Sequence, residues 1–418
     1  MKKNFKKYGL LALSLSAMYS NVSADELAEL KVQMQEMQQQ MQLMQQKLDV
    51  QQKQMQQQNH MAIKSQVSAN DSGIKAIAHE LADSLTISGE VVINTSRTDS
   101  DGWSGESTSD IIADTVALGI DAQVNPWVSG YIGLLYEQED DDNLKVDEAT
   151  ITIANPDVTP VFLTAGRMFV PFGNFESHMI SDPITLAMAE TREEAFQLGV
   201  ELDNGLTGSV YVFNGKIDES NSTYTNTSNS QIDNFGLNVG YSIEADNMNL
   251  DLGIGYINNI ATTDGIQDFV GDNGLCGGDG CIKDYVGGLS LHAIASFGDI
   301  TVIGEYIATT DEFEAGEITG DEVRPKTWNI EAGYNFELMG KDANIAVAYQ
   351  GSDDFYLDAE STEHFEKAWL LGMNVDIYKS TTLSFEWRHA KAYSEVKDVI
   401  GNDYENENLL QMNLSVAF

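Results

Sequence analysis

Between Arg167 and Phe196 the chain mixes two kinds of residue that rarely share a connection. Phe169, Phe172, Phe175, Met179, Ile180, Ile184, Leu186 and Met188 are too apolar for a solvated loop and need somewhere to be buried. Interleaved with them are Asn174, Glu176, His178, Asp182, Glu190, Arg192 and Glu193. Carboxylates, an imidazole and a guanidinium on one folded segment can set the width and charge of a narrow aqueous passage. Arg167 at the entrance to this segment, and Arg388 on a strand face shared with Thr382, Ser384 and Glu386, are candidates to supply positive charge across such an opening. The same charges could instead pair with one another and pin the segment in place.

Catalysis has little support. The chain has no Gly-x-Ser-x-Gly and no His-Glu-x-x-His, and its six histidines have no motif partner. Cys276 and Cys281, the only two cysteines, close a Gly/Asp-rich stretch with a spacing that suits a disulfide in an exported chain. A zinc site would need a second ligand pair at a different spacing, so no metal centre is expected.

The elements that would hold such a segment follow from a repeated pattern. The last strand, Leu410 to Phe418, has an apolar residue at every second position with polar or small residues between. Period 2 with one apolar and one polar face is a strand between two different solvents. The pattern recurs about sixteen times back to Leu85, in segments separated alternately by short turns and longer loops. Asn125-Pro126, Asp203-Asn204-Gly205, Phe297-Gly298-Asp299 and Tyr378-Lys379-Ser380 mark short turns. No segment has the ~20 consecutive apolar residues of a membrane helix. The expected fold is all-β and transmembrane: a closed, antiparallel, up-and-down barrel of about 16 strands over residues 85–418, with residues 169–195 folded into its lumen as a constriction loop. The faces are assignable. Trp328, Ile330, Tyr334 and Phe336 point outward and Asn329, Glu331 and Asn335 inward, and Trp369, Leu371, Met373, Leu383, Phe385 and Trp387 mark a lipid-facing band.

Ahead of the barrel, Lys2, Lys3, Lys6 and Lys7, the apolar Leu10 to Ala17 and the small-residue Val22-Ser23-Ala24 read as a secretory signal over residues 1–24. In residues 25–58, Leu27, Leu30, Met34, Met37, Met41, Met44, Leu48 and Met55 keep heptad spacing, which predicts an α-helical coiled coil and hence an oligomer. Residues 59–84 read as a linker with one short helix.

The formal charge of −42, made more negative by loss of the signal lysines, excludes nucleic acid as a partner. Much of the acid lies in Glu137 to Asp142, Asp311 to Glu322 and Asp353 to Glu363, which read as solvated loops able to meet divalent cations at a lipopolysaccharide surface. No cofactor is expected beyond such cations.

Ser88-Gly89-Glu90-Val91, the stretch from Ala165-Gly166-Arg167 through Val170-Pro171-Phe172-Gly173-Asn174-Phe175-Glu176, Ser181-Asp182-Pro183 and Glu190-Thr191-Arg192-Glu193, and the terminal Phe418 together resemble the LbtU-type siderophore porin family of Gram-negative bacteria. The likeness covers nearly the whole chain, with its specific part in residues 165–193. The resemblance implies an outer-membrane channel that admits ferric siderophores without a plug domain or TonB-linked energy. Wide porins usually associate as trimers, so a homotrimer with its coiled coil in the periplasm is expected, although Met and Leu at both seam positions leave two or three strands open. Anionic ferric complexes sit awkwardly with so acidic a barrel. The alternatives are a general or dicarboxylate-type diffusion porin similar to DcaP, with its own N-terminal coiled coil, and a tether from outer membrane to cell wall.

Overall fold

A computed structural model describes residues 84–100, 107–138, 143–219, 232–245, 247–270, 281–318, 321–355, 364–393 and 406–418. The expected signal, the coiled-coil seam from Leu27 to Met55, nearly all of the linker, and Cys276 lie outside them.

In chain order the strands are β1 (Leu85–Ser100), β2 (Thr108–Asn125), β3 (Val128–Glu137), β4 (Lys145–Ala154), β5 (Val161–Phe169), β6 (Arg192–Glu201), β7 (Leu206–Phe213), β8 (Asp218–Glu219), β9 (Asn234–Ala245), β10 (Met248–Ile257), β11 (Cys281–Ile282), β12 (Gly288–Phe297), β13 (Ile300–Thr309), β14 (Lys326–Leu338), β15 (Lys341–Asp353), β16 (Lys367–Tyr378), β17 (Thr381–Lys391) and β18 (Asn406–Ala417). All but the two-residue β8 and β11 join in one closed antiparallel barrel of 16 strands. β8 and β11 form a small parallel pair of their own between two loops.

Closure comes from the pairing of β1 with β18, which runs from Glu90 opposite Ala417 to Ser100 opposite Glu407. Phe418 seals the seam by exchanging backbone hydrogen bonds with Gly89, at 2.9 and 3.0 Å. A closed barrel leaves no unpaired strand edge, the condition for a sheet to sit in hydrocarbon. The outward rows are apolar and exposed: Phe196 and Leu198 on β6, Phe235 and Leu237 on β9, Trp369 and Leu371 on β16, Phe385 and Trp387 on β17. In water such rows would form an apolar patch far beyond what a monomeric soluble surface carries. Among the described residues no helix is long and apolar enough to cross a membrane.

The strand ends and the short turns fall close to where alternation puts them, with two differences. β6 begins at Arg192, so Arg192 and Glu193 are strand residues and the inward segment is 170–191. β14 and β15 meet in a two-residue turn at Met339 and Gly340, both with positive φ, where the sequence shows only a longer gap between strands.

The long loops at the opposite end correct a second expectation. Phe313 and Ile318, within the acidic stretch read as a solvated loop, are buried, and they share one apolar cluster with Ile266, Ile282, Phe355 and Phe365 from other connections. In that stretch Asp311, Glu312, Asp321 and Glu322 are exposed while Phe313 and Ile318 turn inward. The cluster continues into the β5–β6 connection through Ile184, Leu186 and Met188.

Candidate functional site

The connection from β5 to β6 lies inside the barrel. Its outgoing leg crosses the inner wall strand by strand. The Gly173 amide donates to Ser290 Oγ on β12 at 3.2 Å. The amides of Asn174 and Phe175 donate to the two oxygens of Glu305 on β13 at 2.6 and 3.2 Å. The Ser177 hydroxyl and the His178 amide donate to Glu331 on β14 at 2.9 and 2.7 Å. Farther round, the Ile180 and Ser181 amides donate to Glu386 on β17 at 2.6 and 2.9 Å, and Gln411 on β18 donates to Ser181 Oγ at 2.7 Å. Asn374 on β16 donates to the His178 carbonyl at 2.9 Å.

Asp182-Pro183 reverses the direction, and helix α1 (Ile184–Ala189) carries the chain back. The Ile184 amide donates to Gln350 on β15 at 3.2 Å, and Thr185 Oγ1 donates to Glu305 at 2.6 Å. From the outer side, Thr263 Oγ1 donates to the Met188 carbonyl at 2.8 Å, tying the β10–β12 loop to the returning helix.

Three wall glutamates therefore clasp the segment. Glu305, Glu331 and Glu386 are all buried and point into the lumen near the middle of their strands. A loop in a lumen has backbone N–H groups with no ladder partner, and a buried donor left unmade costs about 1–3 kcal/mol. A carboxylate accepting two or three such donors satisfies them with charge-assisted bonds, which are roughly twice as strong as neutral ones. Each side needs the other.

The local backbone is shaped for this course. Gly173 has φ of 83° and Phe175 has φ of 60°, a left-handed conformation that a bulky residue adopts at a cost of order 1–3 kcal/mol. The wall makes room where the loop lies closest: a Cβ on Gly333 would stand 2.9 Å from the His178 ring, and one on Gly372 would stand 2.8 Å from Met179 Sδ.

The residues singled out from sequence divide into groups. Phe172 is buried against the wall and Asn174 caps its own loop by accepting the Glu176 amide at 3.2 Å. Glu176 is half-buried, and its carboxylate makes no hydrogen bond or ion pair among the described residues. The His178 ring nitrogen Nδ1 lies 2.5 Å from Glu331, and Asp182 and Glu190 are buried. Arg192 is buried in an ion pair with Asp147 of β4, and Glu193 is a buried inward residue of β6. Arg388 is buried and pairs with Glu407 of β18 at 2.8 Å.

Arg167 is placed differently from expectation. It shares the outward face of β5 with Val161 and pairs at 3.0 Å with Glu194, which alternates outward with Phe196 and Leu198. The parity of β5 thus turns its guanidinium away from the lumen. None of the three arginines presents an unpaired guanidinium to the passage: Arg192 and Arg388 serve as pins. The clasp of Glu305, Glu331 and Glu386 was not picked out from sequence as a unit. The only sequence signal for it is an inward-facing glutamate near the middle of each of β13, β14 and β17.

No family model matches the chain. It is similar to a UPF0422 protein of Coxiella burnetii strain RSA 493, with 27% identity over 282 residues that cover 65% of this chain and 57% of the relative. It is also similar to a UPF0422 protein of Legionella pneumophila strain Philadelphia 1, with 26% identity over 306 residues that cover 68% and 55%. The chain spans about half the length of the curated relatives it matches. Among solved structures, the Pseudomonas putida OprB superposes with a TM-score of 0.56 at 11% identity, covering 82% of this chain and 97% of that one. An anion-selective porin from Comamonas acidovorans gives 0.54 at 13% identity, with 80% and 99% covered, and the outer-membrane channel DcaP of Acinetobacter baumannii gives 0.51 at 13%, with 80% and 97%. At such identities the likeness shows a shared porin-like fold and no more.

Proposed function

We propose that the barrel spans a bacterial outer membrane and works as a porin, an aqueous channel for small hydrophilic solutes, narrowed at mid-height by residues 170–191. The observation that carries this reading is the clasped loop. A barrel that only anchored something else would have no use for an internal segment held by three buried carboxylates. Short turns then face the periplasm and the long loops face outward, in contact with lipid and lipopolysaccharide.

Within that reading, the family resemblance of residues 165–193 supports a ferric siderophore as the solute, taken up by facilitated diffusion in a homotrimer whose coiled coil lies in the periplasm. The second reading is a general or dicarboxylate-type diffusion porin, which the shared barrel fold supports equally. Uptake of a labelled ferric siderophore and of a labelled dicarboxylate, measured side by side in a porin-deficient strain expressing this chain, separates the two. The siderophore reading is lost if only the dicarboxylate enters.

The Cys276–Cys281 disulfide is tested by mass spectrometry of non-reduced protein, in which two free thiols would refute it. The tether reading predicts cross-linking of residues 25–58 to the cell wall in a protein that does not conduct.

A further inference from the structure

The clasp glutamates hold the outgoing leg of the lumen loop, and the wall also holds the first turn of α1 through Gln350 and Glu305. The last turn is held differently. There the wall offers a weak thioether contact, from Thr327 Oγ1 to Met188 Sδ at 3.6 Å. Better donors come from the β10–β12 loop: Thr263 Oγ1 reaches the Met188 carbonyl at 2.8 Å, and the next amide, that of Asp264, donates to the Glu190 carbonyl at 2.8 Å. Carbonyls at the end of a helix find no partner inside it, so these bonds cap α1 from a distant part of the chain.

Gly265 fixes how closely the two segments lie. A Cβ there would overlap the Ala187 carbonyl, which is backbone and cannot turn aside as a flexible side chain would. Glycine is the residue that lets one backbone come this near another.

The loop that makes these contacts is itself buried. Asn259, Ile260, Ala261, Thr262 and Thr263 have no exposed surface, and Ile260–Thr262 form a short helical turn. Its other side is fixed to the mouth of the barrel. Asn259 Nδ2 donates to the Ile217 carbonyl at 2.9 Å, Thr262 Oγ1 accepts the Lys216 amide at 3.0 Å, and the Ile260 amide donates to the Val286 carbonyl at 2.8 Å. Ile260 and Ile266 join the apolar cluster that also contains Ile184, Leu186 and Met188 of α1. A segment packed and bonded on both sides does not yield independently of what it touches.

We propose that Thr263 and Gly265 are positioning residues of the constriction: the β10–β12 loop holds the returning leg from the mouth, so the passage is set by two loops acting together. The proposal rests on the channel reading above and adds a second determinant to it. Motion of the loops at the mouth reaches the passage through α1.

The test is single-channel recording of the purified full chain in planar bilayers. Thr263→Val keeps the side-chain shape and removes the donor, while Thr263→Ser keeps the donor. In Thr263→Val the fraction of open time spent away from the native conductance level should rise roughly 2- to 10-fold, the equilibrium shift of one neutral hydrogen bond. Thr263→Ser should bring it back near native, and Gly265→Ala should carry it further, because the two segments must part. Thr310 is exposed, and its hydroxyl donates to the Gly287 carbonyl at 3.1 Å in the same layer of loops. Thr310→Val removes a bond of the same kind and should record as native. Native recordings from Thr263→Val and Gly265→Ala, even in less heat-stable protein, or equal disturbance in Thr310→Val, would overturn the inference and leave the channel reading intact. If Gly265→Ala does not fold, the comparison of Thr263→Val with Thr263→Ser decides. Folded native protein that never conducts would overturn both.

Discussion

His178 meets Glu331 twice: its backbone N–H donates to Oε1 at 2.7 Å, and its ring Nδ1 lies 2.5 Å from the same oxygen. The carboxylate also accepts the Ser177 hydroxyl at 2.9 Å, so one buried side chain of β14 holds two consecutive residues of the lumen loop. Glu305 and Glu386 repeat the arrangement on β13 and β17. The loop is fastened to a wall whose pairing it does not disturb.

Glu331→Gln should loosen this fastening without unfolding the barrel. Hydrogen bonds to a charged acceptor contribute about 1.5–3 kcal/mol each, and the amide keeps one acceptor oxygen while losing the charge. Single-channel recordings should show a noisier pore of higher mean conductance, with the heat stability of the barrel little changed. A quiet channel of native conductance would mean that Glu331 is dispensable to the clasp.

Gly372→Leu acts on the same loop from the wall side. A branched side chain there occupies the place of Met179 Sδ, which stands 2.8 Å from where even a Cβ would be. Displacement of the loop at Met179 should raise conductance, and Gly372→Ala should do so less, since a thioether can shift by a few tenths of an ångström. The same recordings check it, and the order of the two variants is the expected result.

The arginines separate by environment. Arg388→Ala leaves Glu407 buried without its guanidinium, a change that costs about 3–5 kcal/mol, and thermal unfolding should come at a visibly lower temperature. Arg167→Ala removes an exposed outward pair with Glu194, which is worth at most about 1 kcal/mol. It should change neither unfolding nor ion preference, as bilayer reversal potentials would show.

At the long-loop end, the hydrogen bond from Lys391 holds the Glu366 carboxyl below the usual glutamate range, and its backbone joins strand tops through bonds from the Ser352 amide to Glu366 and from the Glu366 amide to Lys391. Because the folded value is the lower one, the contribution is complete above the ordinary glutamate value of about 4.3 and is lost as pH falls through the folded value. Amide exchange at Ser352, corrected for the intrinsic pH dependence, should lose protection on acidification in the native chain. In Glu366→Gln it should be weaker at neutral pH and flat with acid.

Much of the barrel was legible because its two solvents impose a period of 2 on every strand. The outward placing of Ile330, Trp369 and Phe385 follows from that rule alone. The turn at Met339-Gly340 was not legible, since methionine with positive φ carries no turn signature. The loop's apolar residues showed that it must be buried, but the partners of its amides lie 131 residues away for Asn174 and 206 for Ile180, and backbone donors leave no trace in a sequence. Only Arg167 departs from both readings of the arginines, being one residue from the opposite face; Arg192 and Arg388 take the pairing alternative, with Asp147 and Glu407, distant acids among many that the sequence could not single out.

The central claim is that residues 170–191 narrow an aqueous passage through the barrel. It is tested most directly by single-channel conductance of the full chain beside a variant in which residues 174–186 are replaced by a short Gly/Ser bridge. Resistance concentrates at the narrowest section, so the shortened variant should conduct well above the native channel while still folding as a barrel. Equal conductances in two folded, open channels would contradict the account and place the constriction elsewhere.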